Sequence, residues 1–449
     1  MPVIHAAAAL TPEGWRADAR LILDGATIAA VETGVAPRPG DERCAILVPA
    51  LCNLHAHAFQ RGMAGLAERR GEKADSFWTW RETMYRFALA MTPDDVEAVA
   101  AQLYVEMLEA GFAAVGEFHY LHNAPDGAPY AAPAELAARI VAAAQATGIG
   151  LTLLPVFYAH ATFGGAPPRP EQRRFIADLD GFARLLDDCR ALMAGVGPLG
   201  VAPHSLRAAT PAEIAAVVAL AGDGPIHIHA AEQVKEVEDC LAWSGARPVE
   251  WLLDHADVDA RWCLVHATHM SDDETRRLAR SGAVAGLCPT TEASLGDGIF
   301  NAPLYFAAGG AFGVGSDSNV EIGVAAELKQ LEYAQRLRDR ARNVCALSAG
   351  STGRALYQRA LAGGAQALKR PSGALRPGAA ADFVSLRADH PTLVGRRGDE
   401  ILDAWIFAVG NRLVDCVWSG GRKLVVDGRH AAREAVAARY AAAMRRLVQ

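Results

Sequence analysis

The chemistry-bearing residues of this chain are imidazoles and carboxylates far apart in sequence. Leu54-His55-Ala56-His57-Ala58-Phe59-Gln60-Arg61 sets two histidines two residues apart, after the apolar run Ala45-Ile46-Leu47-Val48-Pro49-Ala50-Leu51. On an extended chain such residues point the same way, so His55 and His57 present adjacent imidazoles that can share one metal ion. Alone, such a pair also serves as an ordinary surface or core feature. A third imidazole, His229, and a carboxylate, Glu232, stand at the end of Pro225-Ile226-His227-Ile228-His229-Ala230-Ala231-Glu232. His227 falls on the side of His229, one layer deeper, where packing or ligand orientation is its expected use. Gly313-Val314-Gly315-Ser316-Asp317 offers Asp317 to complete the metal site or to take a proton from bound water. Three histidines and an aspartate around an open position make a catalytic rather than a structural metal site.

These residues need a scaffold that brings distant strand ends together. From about residue 46 to 370 the sequence repeats a short apolar strand, a polar loop and an alanine- and leucine-rich helical pattern. Strand candidates follow the first at Ala113–Phe118, Ile149–Val156, Leu199–Pro203, Ile226–His229, Cys263–His266, Ala283–Cys288 and Ala311–Gly315, eight in all. Eight strand-then-helix units imply an α/β fold, a (β/α)₈ TIM barrel, whose active site gathers at the C-terminal strand ends. Six strand ends carry candidates: His55 and His57, Tyr120, His204 and Arg207, His229 and Glu232, His266, and Asp317. Singly, Asp317 reads as a cap, His266 as a core histidine and Glu232 as a solvated charge; together at strand ends they read as a site.

Residues 1–45 and 371–449 have a different texture, with strand-like pieces and turn signals such as Asp24-Gly25 between Arg20–Leu23 and Thr27–Val31. Both chain ends are therefore expected to form one small antiparallel β domain, with a helix at the C-terminus. The 449 residues suit a large domain plus a small one, and 51% hydrophobic with 21% charged residues excludes a mainly disordered chain. A net charge of −7 gives no footprint for nucleic acid or an anionic membrane. No apolar stretch is long enough to span a bilayer, and no signal peptide is expected at Met1-Pro2-Val3-Ile4-His5. The eight scattered cysteines read as reduced thiols of a cytoplasmic protein.

The order His55-X-His57, His229, His266 and Asp317 on strands one, five, six and eight resembles the amidohydrolase superfamily, a (β/α)₈ metal-hydrolase group. The resemblance covers nearly the whole chain and implies a small β-sandwich domain formed from both chain ends. Within the superfamily, Asn53 to Gly65 and Pro225 to Gln233 are similar to the formimidoylglutamate deiminase family. Binuclear members usually carry a lysine at the end of strand four; this chain has Ala202-Pro203-His204-Ser205, so one divalent ion, zinc by preference, is expected.

The resemblance implies hydrolysis of N-formimidoyl-L-glutamate to N-formyl-L-glutamate and ammonia in histidine degradation. His55, His57, His229 and Asp317 would hold the ion, and Asp317 would accept the proton of its water. Glu232 would protonate the departing nitrogen, and His266 would hydrogen-bond the attacking oxygen. The small-molecule substrate has two carboxylates, and the resemblance associates Gln60, Arg81, Tyr120, His204 and Arg207 with binding it. On the residues alone, Arg81 reads as a surface ion-pair partner in a helix. The competing expectation on the same scaffold is a mononuclear deaminase of a guanine- or cytosine-like ring, with an aromatic-lined pocket and no need of paired arginines. A homodimer is expected by family analogy.

Overall fold

The computed structural model describes residues 1–70 and 76–448. Eight parallel strands form the barrel: Leu51–Ala56, Phe112–His119, Gly150–Phe157, Ala202–Pro203, Ile226–Ala230, Trp262–His266, Val284–Leu287 and Ala311–Val314. They are hydrogen-bonded as two arcs of four. Bridges Val201–Ile226 and Ser205–His229 join strand four to strand five, and Ala56–Asp317 joins strand one to the end of strand eight. Helices occupy the intervals, as the alternation requires. Pro93–Glu109 shows the expected start, with the Thr92 hydroxyl accepting from the Asp95 amide and Pro93 in the first turn.

The barrel closes tightly because the residue just past the eighth strand has no side chain. A Cβ on Gly315 would sit 2.6 Å from the His55 carbonyl oxygen, so only glycine lets the eighth strand approach the first there. This contact brings Asp317 beside the two histidines.

Both chain ends build one separate eight-stranded sheet. Its order is Arg429–His430, Arg422–Val426, Val414–Ser419, Phe383–Leu386, Glu42–Pro49, Val3–Thr11, Gly14–Asp24 and Thr27–Glu32. The Asp24-Gly25 hairpin forms, pairing Asp24 with Thr27. The apolar run 45–51, which reads as a single strand, is two strands in different sheets. Glu42–Pro49 belongs to the terminal sheet, Ala50 donates its amide to the Asp382 carbonyl, and the barrel begins at Leu51. The domain boundary placed at residue 46 thus falls inside a strand. Alternation explains the continuous hydrophobicity: Ile46 and Val48 pack on the barrel side, Leu47 in the terminal sheet's own core with Ile4, Leu21, Phe383 and Trp418. The terminal helix Arg433–Leu447 lies along Pro93–Glu109 and pairs Arg433 with Glu109 and Arg439 with Glu97. Among the described residues, no helix is long and apolar enough to cross a membrane.

Candidate metal centre and substrate cavity

The first strand is buried throughout and ends at Ala56, yet His57 keeps extended backbone (φ −112°, ψ 92°), so the period-two rule still holds and both imidazoles face the barrel mouth. His55 Nε2 lies 3.2 Å from His57 Nε2 and 3.1 Å from His229 Nε2. Asp317 Oδ1 is 3.1 Å from His57 Nε2 and 3.4 Å from His55 Nε2. All four residues are buried.

The hydrogen bonds behind the rings show what this cluster suits. His57 Nδ1 faces the Phe118 carbonyl at 3.0 Å, and His229 Nδ1 the His204 carbonyl at 3.1 Å. Carbonyls only accept, so both Nδ1 atoms carry the ring proton and both Nε2 atoms present lone pairs inward. Burial holds His55 down to about 3, so its ring stays neutral and has one proton to share. Asp317 stays ionised: burial pulls its carboxyl up, but the adjacent His55 and His57 rings and the charge of His266 hold it well below the usual range. Four converging acceptor atoms with at most one proton among them fit a divalent cation, and their separations match a shell of ligands at about 2.0–2.1 Å.

The loop carrying Asp317 is clamped to the first strand. The Asp317 amide donates to the His55 carbonyl (2.9 Å), and the His57 amide to the Asp317 carbonyl (3.0 Å). Asn53 brackets Ser316 through its side-chain amide, Ser316 Oγ donates to Asn319 Oδ1 (2.6 Å), and Asn319 Nδ2 donates to the His57 carbonyl (2.9 Å). Asp317 (φ 46°), His266 (φ 68°) and Ala231 (φ 52°) all adopt left-handed backbone at strand ends of this site, where strain persists only if the surroundings fix it.

A cavity opens from the cluster. His57, His229 and Asp317 line it together with Gln60, Arg81, Tyr120, His204, Arg207, Glu232 and His266, while His55 lies fully buried behind them. Every candidate residue read from the sequence is therefore brought to one place. Arg81, in the helix Phe77–Ala90, is not in a surface ion pair: it donates to the Tyr85 hydroxyl, its guanidinium lies 5.3–5.9 Å from the rings of Phe77, Trp78 and Tyr85, and among the described residues no carboxylate pairs with it. Gln60 donates to the Tyr120 hydroxyl (2.7 Å), leaving its Oε1 buried without a partner among the described residues, as is Arg207 Nε. Buried polar atoms left open beside a cavity suit a polar ligand.

The side of the cavity formed by Glu232 and His266 is rich in carboxylates. Glu232 Oε2 lies 3.2 Å from Arg207, and its Oε1 3.9 Å from His266 Nε2. Burial works against a charged His266, but Glu292 at 3.3 Å with Glu232 and Asp317 behind it push the ring up to about 10. His227 sits a layer deeper, its ring 2.9 Å from the Ala367 carbonyl, in the packing role.

Several carboxylates escaped the reading of the sequence. Glu236 accepts the amides of Ala231 (3.2 Å) and Glu232 (3.0 Å) and stands 3.9 Å from Arg207. Glu117 accepts the Ala58 amide (2.8 Å) and the Tyr104 hydroxyl (3.0 Å). The signal for Glu117 was present: a lone charge in the wholly apolar strand Phe112–His119 must be paired inside. Tyr158, also on the cavity wall and bonded by Gln172 (2.7 Å), carried no such signal.

Comparison with known proteins agrees with this geometry. Residues 46–424 match the amidohydrolase family profile, and residues 1–45 match that of the formimidoylglutamate deiminase HutF N-terminal domain. The formimidoylglutamate deiminase of Pseudomonas aeruginosa is 52% identical over 438 residues, 97% of each chain. A crystal structure of an amidohydrolase from Brucella melitensis is 58% identical, with a TM-score of 0.97 over the whole of both chains. Atrazine chlorohydrolase from Arthrobacter aurescens, solved in complex with zinc, shares the fold at 22% identity, with a TM-score of 0.83 over 99% of this chain and all of that one. With its imidazole and carboxylate cluster at the mouth of a (β/α)₈ barrel and a matching profile over most of its length, the chain belongs to the amidohydrolase family.

Proposed function

We propose that the protein is a formimidoylglutamate deiminase, which adds water to N-formimidoyl-L-glutamate and releases N-formyl-L-glutamate and ammonia. The observation that carries this reading is the cavity wall: Arg81, without a carboxylate partner among the described residues, and Arg207, with an unpartnered Nε, stand over the buried histidine–aspartate cluster. Two guanidinium groups suit a substrate with two carboxylates, and the 52% identical Pseudomonas relative bears the corresponding name.

A divalent cation held by His55, His57, His229 and Asp317 supplies the Lewis acidity that makes hydroxide available from water near neutral pH. Asp317 takes up the first proton that this water loses. His266 would donate a hydrogen bond to the oxygen that adds to the formimidoyl carbon, and Glu232 would relay the two protons given up by the water to the departing nitrogen, which leaves as ammonia. Gln60, Tyr120 and His204 position the substrate between the two arginines. The aromatic walls Phe77, Tyr85, Tyr158 and Phe175 would suit a nucleobase-like ring, but that alternative leaves the arginines without a use.

Zinc is the ion this reading carries, since three imidazoles and a carboxylate are its usual catalytic ligands. It also carries a role in histidine breakdown, a cytoplasmic location consistent with eight unpaired cysteines, and a homodimer by family analogy. The test is ammonia release from N-formimidoyl-L-glutamate, with guanine as the comparison, before and after chelation. Chelator-sensitive release from the first substrate only is expected; release from guanine alone overturns the reading.

A further inference from the structure

We propose that a second, inhibitory cation site adjoins the first, formed by Cys288, His266, Asp317 and Glu232 and taking a thiophilic divalent ion. Ligand atoms of His266, Cys288 and Asp317 lie within 4.8 Å of one another, all three residues buried. His266 Nε2 is 3.8 Å from Asp317 Oδ2 and 3.9 Å from Glu232 Oε1. A contraction of a few tenths of an ångström closes the two His266–carboxylate edges, and one of up to about 1 Å closes those to the Cys288 thiol, to zinc-type coordination with bonds of about 2.0–2.3 Å.

Three features make this a built site. The other ring nitrogen of His266 faces Glu292 at 3.3 Å, the carboxylate–imidazole pairing that turns Nε2 toward a metal. Glu292 Oε1 also accepts the Cys288 amide at 2.9 Å, so the group that orients the imidazole is anchored to the residue that carries the thiol. Asp317 faces two ways: Oδ1 meets His55 and His57, while Oδ2 faces His266, so one carboxylate can bridge two ions. A thiolate, an imidazole and carboxylates together select zinc or cadmium over magnesium or calcium. Binding releases two protons to solvent, one from the Cys288 thiol and one from His266 Nε2. The ion displaces the Nε2 proton of His266 and occupies the oxygens of Glu232, both needed for turnover, so occupancy stops the reaction.

The proposal rests on reading the first cluster as a metal centre, and cadmium titration of the holoenzyme separates the two. The wild type is expected to take up a further equivalent of cadmium, develop the ultraviolet cadmium–thiolate charge-transfer band and lose activity in step. Cys288→Ser is expected to lose the band and become at least about 10-fold less sensitive to cadmium while keeping its first metal. Cys263→Ser, altering another buried thiol of the barrel, is expected to keep both responses. Cadmium NMR of the wild type reports the thiolate ligand independently of how either variant folds. A band that survives Cys288→Ser, or a wild type that binds one equivalent without a band, overturns the second site; a wild type that binds no metal at all overturns the first.

Discussion

The Arg207 guanidinium and the Glu232 carboxylate meet at 3.2 Å, so in the proposed reaction the arginine assigned to a substrate carboxylate and the glutamate assigned to proton delivery share one hydrogen bond. Substrate binding and proton delivery are thereby tied to one pair. Replacing Arg207 or Arg81 with methionine is expected to raise KM roughly 10- to 150-fold, the worth of a charge-assisted hydrogen bond of about 1.5–3 kcal/mol. Steady-state kinetics with full metal occupancy measures this, and an unchanged KM in both variants removes carboxylate recognition from them.

Glu236 holds the backbone that presents Glu232. Glu232→Gln should lower kcat by about 100- to 10,000-fold, the usual contribution of a positioned proton carrier. Glu236→Gln keeps that proton carrier but loosens two of its supports, so a smaller fall of about 10- to 100-fold is expected, from misplacement. Combined, the two changes should cost little more than Glu232→Gln alone, because the second acts through the first. Full additivity in the double variant would show that Glu236 acts elsewhere.

Glu117 makes stability depend on pH. Burial pushes its carboxyl up to about 7, against the pull of its bonds from the Ala58 amide and the Tyr104 hydroxyl. Between its unfolded value of about 4.5 and 7 the folded protein therefore binds the extra proton. Its contribution to stability is complete below the lower value and is lost as pH rises through 7, a change of up to about 3 kcal/mol. Thermal melts of wild type and Glu117→Gln at pH 5 and pH 8 check the sign: the wild type should lose ground relative to the variant at the higher pH.

The large architecture was open to a reader of the sequence because each barrel unit repeats the same local statement, an apolar strand followed by an alanine- and leucine-rich helix. The clustering of His55, His57, His229 and Asp317 was equally open, since all four lie at or just past the ends of such strands. The split at Ala50 was hidden: both strands around it are buried, so no polar residue marks the passage from one sheet to the other. The supporting carboxylates were hidden for the opposite reason. Glu236 and Glu292 lie in helices, where acidic residues usually face water, and only the turn of the chain brings them inward. Arg81 read as a surface charge for the same reason, and the aromatic groups that hold it come from its own helix.

The hydrogen bonds that close the barrel between its first and last strands are made by His55, His57 and Asp317, three of the four residues proposed to gather the ion. The seam of the cylinder and its cargo thus share one clasp. Completing the ring in folding and shaping the proposed receptor for the ion are then a single event, and an ion bound there would make the cylinder harder to unfasten.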